Sequence, residues 1–443
     1  MLPGRAHQHP NHVIESEDEN GFSVLRTAVI YGKNASGKSN FIKAINFAKN
    51  FITSQLSPTG TIPSVKPFRL DRSYLDKPSR FRFEIKIDDK SYDYGFSVTH
   101  KEVIEEWLFE IKKTSEKKLF SRNGKQIELG KIDYSLGITD SEKIVSEKQA
   151  AQRLAFVGDD TRLNQLFLSA SVERNQPYFK HIYDWFDKSV VIIKPDSKHF
   201  GTEFIMNEKS NVTENASFVN SFEDILRVLD TGIEGMELQK VNIEQEFIKA
   251  YPYVDNLKST LDEMGLGTKA IFPMPDRRRF AITKEKDGTI NGFKMMTKHK
   301  MIGESKYDLF EINWESEGTQ RLMDLIPSLF LLRRTPCTIF IDEMARSLHP
   351  ELIYALIKVF LEKENLFKSQ LVLTSHEDYL LNLDLLRRDE IWFVEKKEGS
   401  EMYSLEEFKP RYDKDIRKGY FDGRFRGIPM IDFESLEKTL EKV

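Results

Sequence analysis

The stretch Leu25-Arg26-Thr27-Ala28-Val29-Ile30-Tyr31-Gly32-Lys33-Asn34-Ala35-Ser36-Gly37-Lys38-Ser39-Asn40 decides how the rest of the chain is read. Val24–Tyr31 is an apolar run that ends at a glycine, the pattern of a buried strand. A loop follows from Gly32 to Ser39. Phe41, Ile42, Ile45, Ala48 and Ile52 then fall near helical spacing, so strand, loop and helix come in that order. Gly32 to Ser39 satisfies G-x-x-x-x-G-K-[ST] without a mismatch, and the chemistry explains the spacing. Glycines let backbone N–H groups wrap phosphates, and the N-terminus of the next helix adds a partial positive charge. Lys38 reaches the β and γ phosphates of a bound nucleotide, and the Ser39 hydroxyl can ligate Mg²⁺. Gly32, Asn34, Ala35, Ser36, Gly37, Lys38, Ser39 and Asn40 are the expected contacts with ATP.

Further along, Cys337-Thr338-Ile339-Phe340-Ile341-Asp342-Glu343 is an apolar strand that ends in two carboxylates. An Asp at a strand end facing the phosphate loop can hold Mg²⁺ through water, and the adjacent Glu can polarise an attacking water. Asp342 is therefore the second metal residue beside Ser39, and Glu343 the catalytic base. Gly32 lies 310 residues before Asp342, far more than compact AAA+ or RecA-like cores place between these motifs. The base-reading N/T-K-x-D of small GTPases does not occur. A split head with a large insertion fits better.

Ser316-Glu317-Gly318-Thr319-Gln320 opens a helix about twenty residues before the Asp342 strand. Alone it reads as a plain N-cap. Its position makes it a second anion-binding end, with Ser316, Gly318 and Gln320 on the nucleotide of an opposite copy in a head-to-tail dimer. His376 follows the next apolar strand, 34 residues after Asp342, where a γ-phosphate sensor is needed. Ser347-Leu348-His349-Pro350 occupies the stretch where two heads would touch.

The 443 residues exceed what one small core needs and predict one large domain with an insertion, or two lobes. Lys and Arg total 66 against 70 Asp and Glu, so any nucleic-acid contact has to come from a local patch such as Arg277–Arg279 or Arg411–Arg426. One Cys excludes a disulfide framework and a Cys-based zinc site, and fits a reducing cytoplasm. The apolar stretch near Leu322–Leu332 carries Asp324 and is too short to span a membrane. Two hairpins are expected, one turning at Asp88-Asp89-Lys90 between alternating runs and one at Asn123-Gly124. Residues from about 161 to 187 look helical, followed by a strand at Val190–Ile193 and a helix over Ser217–Leu229. Gly318–Leu332 and Glu351–Glu362 read as helices, Thr338–Ile341 and Leu371–Thr374 as buried strands. Asp413-Lys414-Asp415 reads as a solvated turn.

Phosphate loop, Ser316–Gln320, Asp342-Glu343, Ser347–His349 and His376, in that order, resemble an ATP-binding-cassette head of the SMC and DNA-repair type. More narrowly, the chain is similar to the bacterial RloA/AbiL-type AAA ATPases of phage-defence loci, a group that includes the AriA subunit of PARIS systems. Leu25–Asn40, Leu386-Arg387-Arg388-Asp389-Glu390-Ile391-Trp392-Phe393 and the tail Gly419–Pro429 carry this likeness. Such chains usually begin with a strand before the His-Pro-Asn-His seen at His9–His12, and that strand is missing here. Glu173, with Gln176 close by, stands where the family has a loop Gln.

The resemblance implies an α/β fold: an ABC-type head with an antiparallel β subdomain and a large α+β insertion between phosphate loop and Ser316 signature. It divides the chain into a flexible segment over 1–23, the first part of the head over 24–160, a mostly helical insertion over 161–306 and the second part over 307–443. It further implies a cytoplasmic ATPase using ATP and Mg²⁺, a homodimer or larger oligomer, and a separate effector, a TOPRIM-type or RloB-like nuclease. DNA or a phage protein would be the trigger. A DNA-repair or DNA-end-binding ATPase of the same fold is the alternative.

Overall fold

The computed structural model describes the chain apart from residues 5–7, 18–21, 55–61, 63–64, 135–146, 196, 198–215, 243–244, 247–260, 262–263, 274–277, 363–367, 412–414, 428–431 and 442–443. It divides into two compact units, one of residues 1–192, 335–342 and 364–443, the other of 193–334 and 343–363.

In the first unit, β1 (Val13–Ile14) and β2 (Val24–Leu25) form a small antiparallel pair, and β3 (Thr27–Tyr31) begins after Arg26. The single strand expected over Val24–Tyr31 is thus broken at a buried arginine that sits beside Glu390. The antiparallel sheet runs β4 (Ser79–Ile87), β5 (Lys90–Val98), β6 (Val103–Ile111), β7 (Glu116–Asn123) and β8 (Gln126–Leu129), neighbour to neighbour. Both expected hairpins are there, turning at Asp88-Asp89 and at Gly124. The second sheet has the order β18-β17-β3-β16-β15-β9, where β9 is Val190–Ile193, β15 Thr338–Ile341, β16 Gln370–Thr374, β17 Ile391–Lys396 and β18 Ser400–Ser404. Strands β15, β16, β3 and β17 run parallel, and β3 and β15 are buried at every position, as strands covered on both faces must be. Helix α1 (Lys38–Thr53) presents Ile42, Ala48, Phe51 and Ile52 to a core shared with Tyr94, Phe96, Leu108 and Phe120 of the antiparallel sheet.

Helix α2 (Glu147–Asp159) had no counterpart in the sequence reading. The stretch expected as helical over 161–187 is α3 (Phe167–Glu173), then α4 (Lys180–Asp184) running on into a π-helical turn at Trp185–Ser189, with a break over 174–179 where Asn175 takes a left-handed backbone. A buried carboxylate fixes the start of α3. Glu106 of β6 accepts the N–H groups of Phe167 (2.6 Å) and Leu168 (3.0 Å) and the Tyr94 hydroxyl (3.2 Å), with Arg122 Nη1 3.9 Å away. Burial pushes the Glu106 carboxyl up, and the Arg122 charge opposes that shift.

Within the 1–23 segment, expected to be flexible, several described residues are bonded to distant parts of the unit. His9 Nε2 lies 2.8 Å from Leu383 O, the Gly4 N–H donates to Asp389, and His12, only 3 % exposed, places Nδ1 3.0 Å from Glu390 Oε2. Burial, with Arg26 and Arg387 adding to it, lowers the His12 imidazole to about 4. Glu390 is itself pushed well above the carboxylate range by burial, so it offers little charge to hold an imidazolium. Between pH 6.5 and about 4 the unfolded chain binds the His12 proton first, so His12 taken alone makes stability fall as pH drops, while Glu390, with its raised carboxyl, binds its proton first in the folded chain and works the other way. Urea titrations at pH 6.5 and 4.5 read the His12 share as a difference: His12→Gln should lose less stability on acidification than wild type, or gain more, and an equal change in the two proteins would remove His12 as a contributor.

In the second unit, β10 (Ile233–Val241), β11 (Thr268–Pro273), β12 (Arg279–Lys284), β13 (Ile290–Lys300) and β14 (Tyr307–Glu311) form an antiparallel sheet in which β13 pairs β10 on one side and β12 then β14 on the other. Helix α5 (Ala216–Val228) is the expected Ser217–Leu229 helix. Within 233–300, part of the insertion expected to be mostly helical, the described elements include the strands β10 to β13, and residues 243–244, 247–260, 262–263 and 274–277 lie outside the described residues. This unit also holds α6 (Glu317–Arg334) and α7 (Pro350–Glu362), both close to their expected limits. Among the described residues no helix is long and apolar enough to cross a membrane.

Candidate functional site

The phosphate loop leaves the carboxyl end of β3 and turns into α1, and the ends of β15 and β16 come to the same edge of the parallel sheet, where α/β folds place their ligands. Gly37 is the N-cap of α1 with φ 116°, a left-handed backbone that favours glycine, and no side chain caps the helix. First-turn amides without a side-chain cap are the anion-binding feature that the motif predicts. Gly32 answers a close approach: a Cβ there would lie 2.5 Å from Val394 O and 2.6 Å from Ser36 Oγ.

Lys38 is 5 % exposed. Its ammonium donates to Gly32 O (2.5 Å) and Lys33 O (3.3 Å), and lies 3.4 Å from Nδ1 of His376. Ser39 Oγ donates to Asp342 Oδ1 at 3.2 Å, and Thr374 Oγ1 of β16 donates to the same oxygen at 2.7 Å. Asp342 is 5 % exposed, so this carboxylate is buried and its direction fixed. Lys38, Ser39, Asp342 and His376, widely separated in sequence, are thus brought together. Thr374 joins them without having been foreseen: it follows three apolar residues and looks like any strand end. Asn34, Ala35 and Asn40 are exposed on the loop and at the first turn, while Ser36 is buried. A hydroxyl, a buried carboxylate and an ammonium at a helix N-terminus fit Mg²⁺ and the phosphates of ATP.

Glu343 is the residue after Asp342, partly exposed, with φ 49°. A left-handed backbone at a non-glycine residue stores strain of the kind found at functional sites. In the second unit, Ser316 Oγ accepts the Thr319 N–H (3.0 Å), so it caps α6. Gly318 packs against the Ser347 stretch, where a Cβ would lie 2.6 Å from Ser347 O, and Ser347 Oγ donates to Glu317 at 3.1 Å. The two motifs read separately in the sequence are therefore in direct contact. Gln320 is buried and donates to Glu315 O (2.7 Å), so its side chain holds the turn ahead of the helix. Glu173 accepts from Gln165 Nε2 (2.7 Å), and Gln176 Nε2 donates to Arg174 O (3.0 Å).

A cavity of about 770 Å³ in the first unit, lined among others by Ala28, Ile30, Phe41, Ile85 and Trp185, includes none of residues 32–39 and is not the phosphate site.

A family profile described as "AAA domain, putative AbiEii toxin, Type IV TA system" matches residues 28–156 and 206–382, more than half of the chain. The chain belongs to this family. It is a P-loop ATPase domain of mixed α/β fold with one six-stranded sheet holding the parallel strands and two five-stranded antiparallel sheets. No curated protein sequence matches the chain. Solved structures similar to it include an SMC head bound to the C-winged helix domain of ScpA, 13% identical over 87% of this chain and 94% of that one, with TM-score 0.34. The SMC head domain from Thermotoga maritima is 12% identical over 88% and 97%, with TM-score 0.31. The Smc head with an extended coiled coil bound to the C-terminal domain of ScpA, from Pyrococcus furiosus, is 12% identical over 87% and 93%, with TM-score 0.28.

Proposed function

We propose that this AAA-family chain is a Mg²⁺-dependent ATPase with an ABC-type head, working in the cytoplasm as a nucleotide-driven switch in anti-phage defence. The observation that carries the reading is the meeting of Lys38, Ser39, Asp342, Thr374 and His376 at one edge of the parallel sheet. Lys38 and the loop amides bind and orient the phosphates of ATP. Ser39 and Asp342 would hold Mg²⁺, which when bound offsets phosphate charge. Thr374 keeps the Asp342 carboxylate aimed. Glu343 takes a proton from the attacking water, and His376, beside the Lys38 ammonium, reads the γ-phosphate. Ser316 and Gly318, with Gln320 holding their turn, cap the nucleotide of a second copy, so the working form is a head-to-tail homodimer or a larger assembly of such dimers.

The effector is a separate chain, a nuclease of the TOPRIM or RloB-like kind, and the trigger DNA or a phage protein. The resemblance to RloA/AbiL-type ATPases, AriA among them, supports this, as does the abortive-infection wording of the family description. Direct DNA binding finds less support. Arg278 pairs with Glu246 (3.5 Å) and Arg279 with Asp324 (2.5 Å), which spends the charge of that cluster inside the unit, while Arg277 lies outside the described residues. In the tail, Arg417 pairs with Asp378 and Arg424 with Asp422 (3.3 Å). Asp415 caps α8 (Ile416–Phe421), and the rest of Asp413-Lys414-Asp415 lies outside the described residues.

The test is the mass of the assembly purified with ATP after co-expression with the neighbouring gene. A fixed-ratio complex with the neighbour's product is expected. A chain that runs alone and hydrolyses ATP faster with DNA would replace this reading by the DNA-acting one.

A further inference from the structure

The phosphate loop is held from outside by a part of the chain that carries none of the nucleotide motifs. Ser400, the first residue of β18, donates its hydroxyl to Ser36 O at 2.6 Å. Its Cβ lies 2.8 Å from where a Cβ on Gly37 would sit, and its Oγ is closer still, so only a glycine at 37 lets the β17–β18 hairpin approach this far. Beyond α8, the chain returns to the loop at Gly427, whose carbonyl accepts the Lys33 N–H at 3.0 Å. That return is tied down by aromatic residues. The Tyr420 hydroxyl donates to Gly427 O (3.2 Å) and the Tyr403 hydroxyl to Phe425 O (3.0 Å), while Phe393 of β17 stacks on Tyr420 with ring centres 5.4 Å apart. Gly427 has φ 69°, a conformation in which a side chain would be strained.

We infer that Ser400 and the Gly427 carbonyl are positioning groups for nucleotide binding, because each fixes the direction of one peptide plane in the phosphate loop. In a planar trans peptide the C=O and N–H point opposite ways. Holding the Lys33 N–H on Gly427 turns the Gly32 carbonyl to the other side, and there it meets the Lys38 ammonium at 2.5 Å. Holding the Ser36 carbonyl on Ser400 turns the Gly37 N–H away from the hairpin, which keeps that amide for an anion. The loop contains two glycines and Ala35 in a left-handed conformation (φ 60°), so without these outside bonds its peptide planes have alternatives within thermal reach. The two bonds remove that freedom before a phosphate arrives, and preorganisation of this kind appears as affinity.

This inference rests on the ATPase reading, and calorimetric titration with MgATP and MgADP separates the two. Wild type should bind both nucleotides. Ser400→Ala removes one hydrogen bond at an exposed edge strand, and should weaken binding about fivefold, with KM for ATP rising in proportion and kcat within about twofold of wild type. Ser400→Thr keeps the donor and should restore most of the affinity. Tyr420→Phe, which frees the Gly427 carbonyl from one of its ties, should shift KM in the same direction by less. A melting temperature that falls in Ser400→Ala while nucleotide affinity stays at the wild-type value would overturn the inference and leave Ser400 as ordinary packing. Equal losses in the Ala and Thr variants would do the same, since the donor would then not matter. A folded wild type that binds neither nucleotide would instead overturn the ATPase reading itself, and this inference with it.

Discussion

Replacing Glu343 by Gln should slow ATP hydrolysis by at least about a hundredfold while leaving nucleotide binding intact. Gln has the shape of Glu and the same backbone preferences, so the left-handed residue at 343 is retained and the fold should not change. What disappears is the ability to accept a proton from water. Lys38, Ser39 and Asp342 are untouched, so ATP still binds, and two copies that close around it have no route to reopen by hydrolysis. Light scattering after gel filtration with MgATP should therefore show a dimer that persists in Glu343→Gln and decays with turnover in wild type. Unchanged turnover in the variant would remove Glu343 from the chemistry.

Lys38→Ala should act earlier, at binding. The ammonium sits 5 % exposed at the mouth of α1, held on Gly32 O and Lys33 O, from which it can move to phosphate oxygens without leaving the loop. Charge-assisted hydrogen bonds are worth about 1.5–3 kcal/mol each, and loss of two should raise the dissociation constant for ATP by at least about a hundredfold. Fluorescent-nucleotide titration reads this directly. The fold should survive, because the residues that α1 buries against the core are Ile42, Ala48, Phe51 and Ile52. An affinity within threefold of wild type would mean that the loop is not the nucleotide site.

The parts of this molecule legible in the sequence are those where one local pattern decides the outcome. Thr338–Ile341 is a short run of β-branched and aromatic residues, and it is a strand with those limits. The Gly32–Ser39 motif fixes both the loop and its two flanking elements. The antiparallel sheet over 233–311 was not legible, for a physical reason: β13 reads Ile290-Asn291-Gly292-Phe293-Lys294-Met295-Met296-Thr297-Lys298-His299-Lys300, with lysines that blur the alternation. Lys294 is nonetheless buried, because Glu311 meets it at 2.6 Å and Glu246 at 3.7 Å, so its charge is answered inside the sheet. A pattern of apolar and polar letters cannot register that pairing.

In the site, the residues that sequence could name are those whose side chains do chemistry, Lys38, Ser39, Asp342 and His376. The contacts it could not name run through backbone atoms. Lys33 N–H to Gly427 O joins positions far apart in sequence, and any residue can supply either atom. Gly318 was legible as a glycine at a helix start, but its need to admit Ser347 O at close range comes only from the packing of two segments in space.

The most direct test of the central claim is phosphate release from ATP by the purified chain in Mg²⁺. Saturable turnover is expected, lost in Lys38→Ala and stopped by chelation of Mg²⁺. A folded wild-type protein, alone and with its co-expressed neighbour, that releases no more phosphate than the Lys38→Ala variant would contradict it.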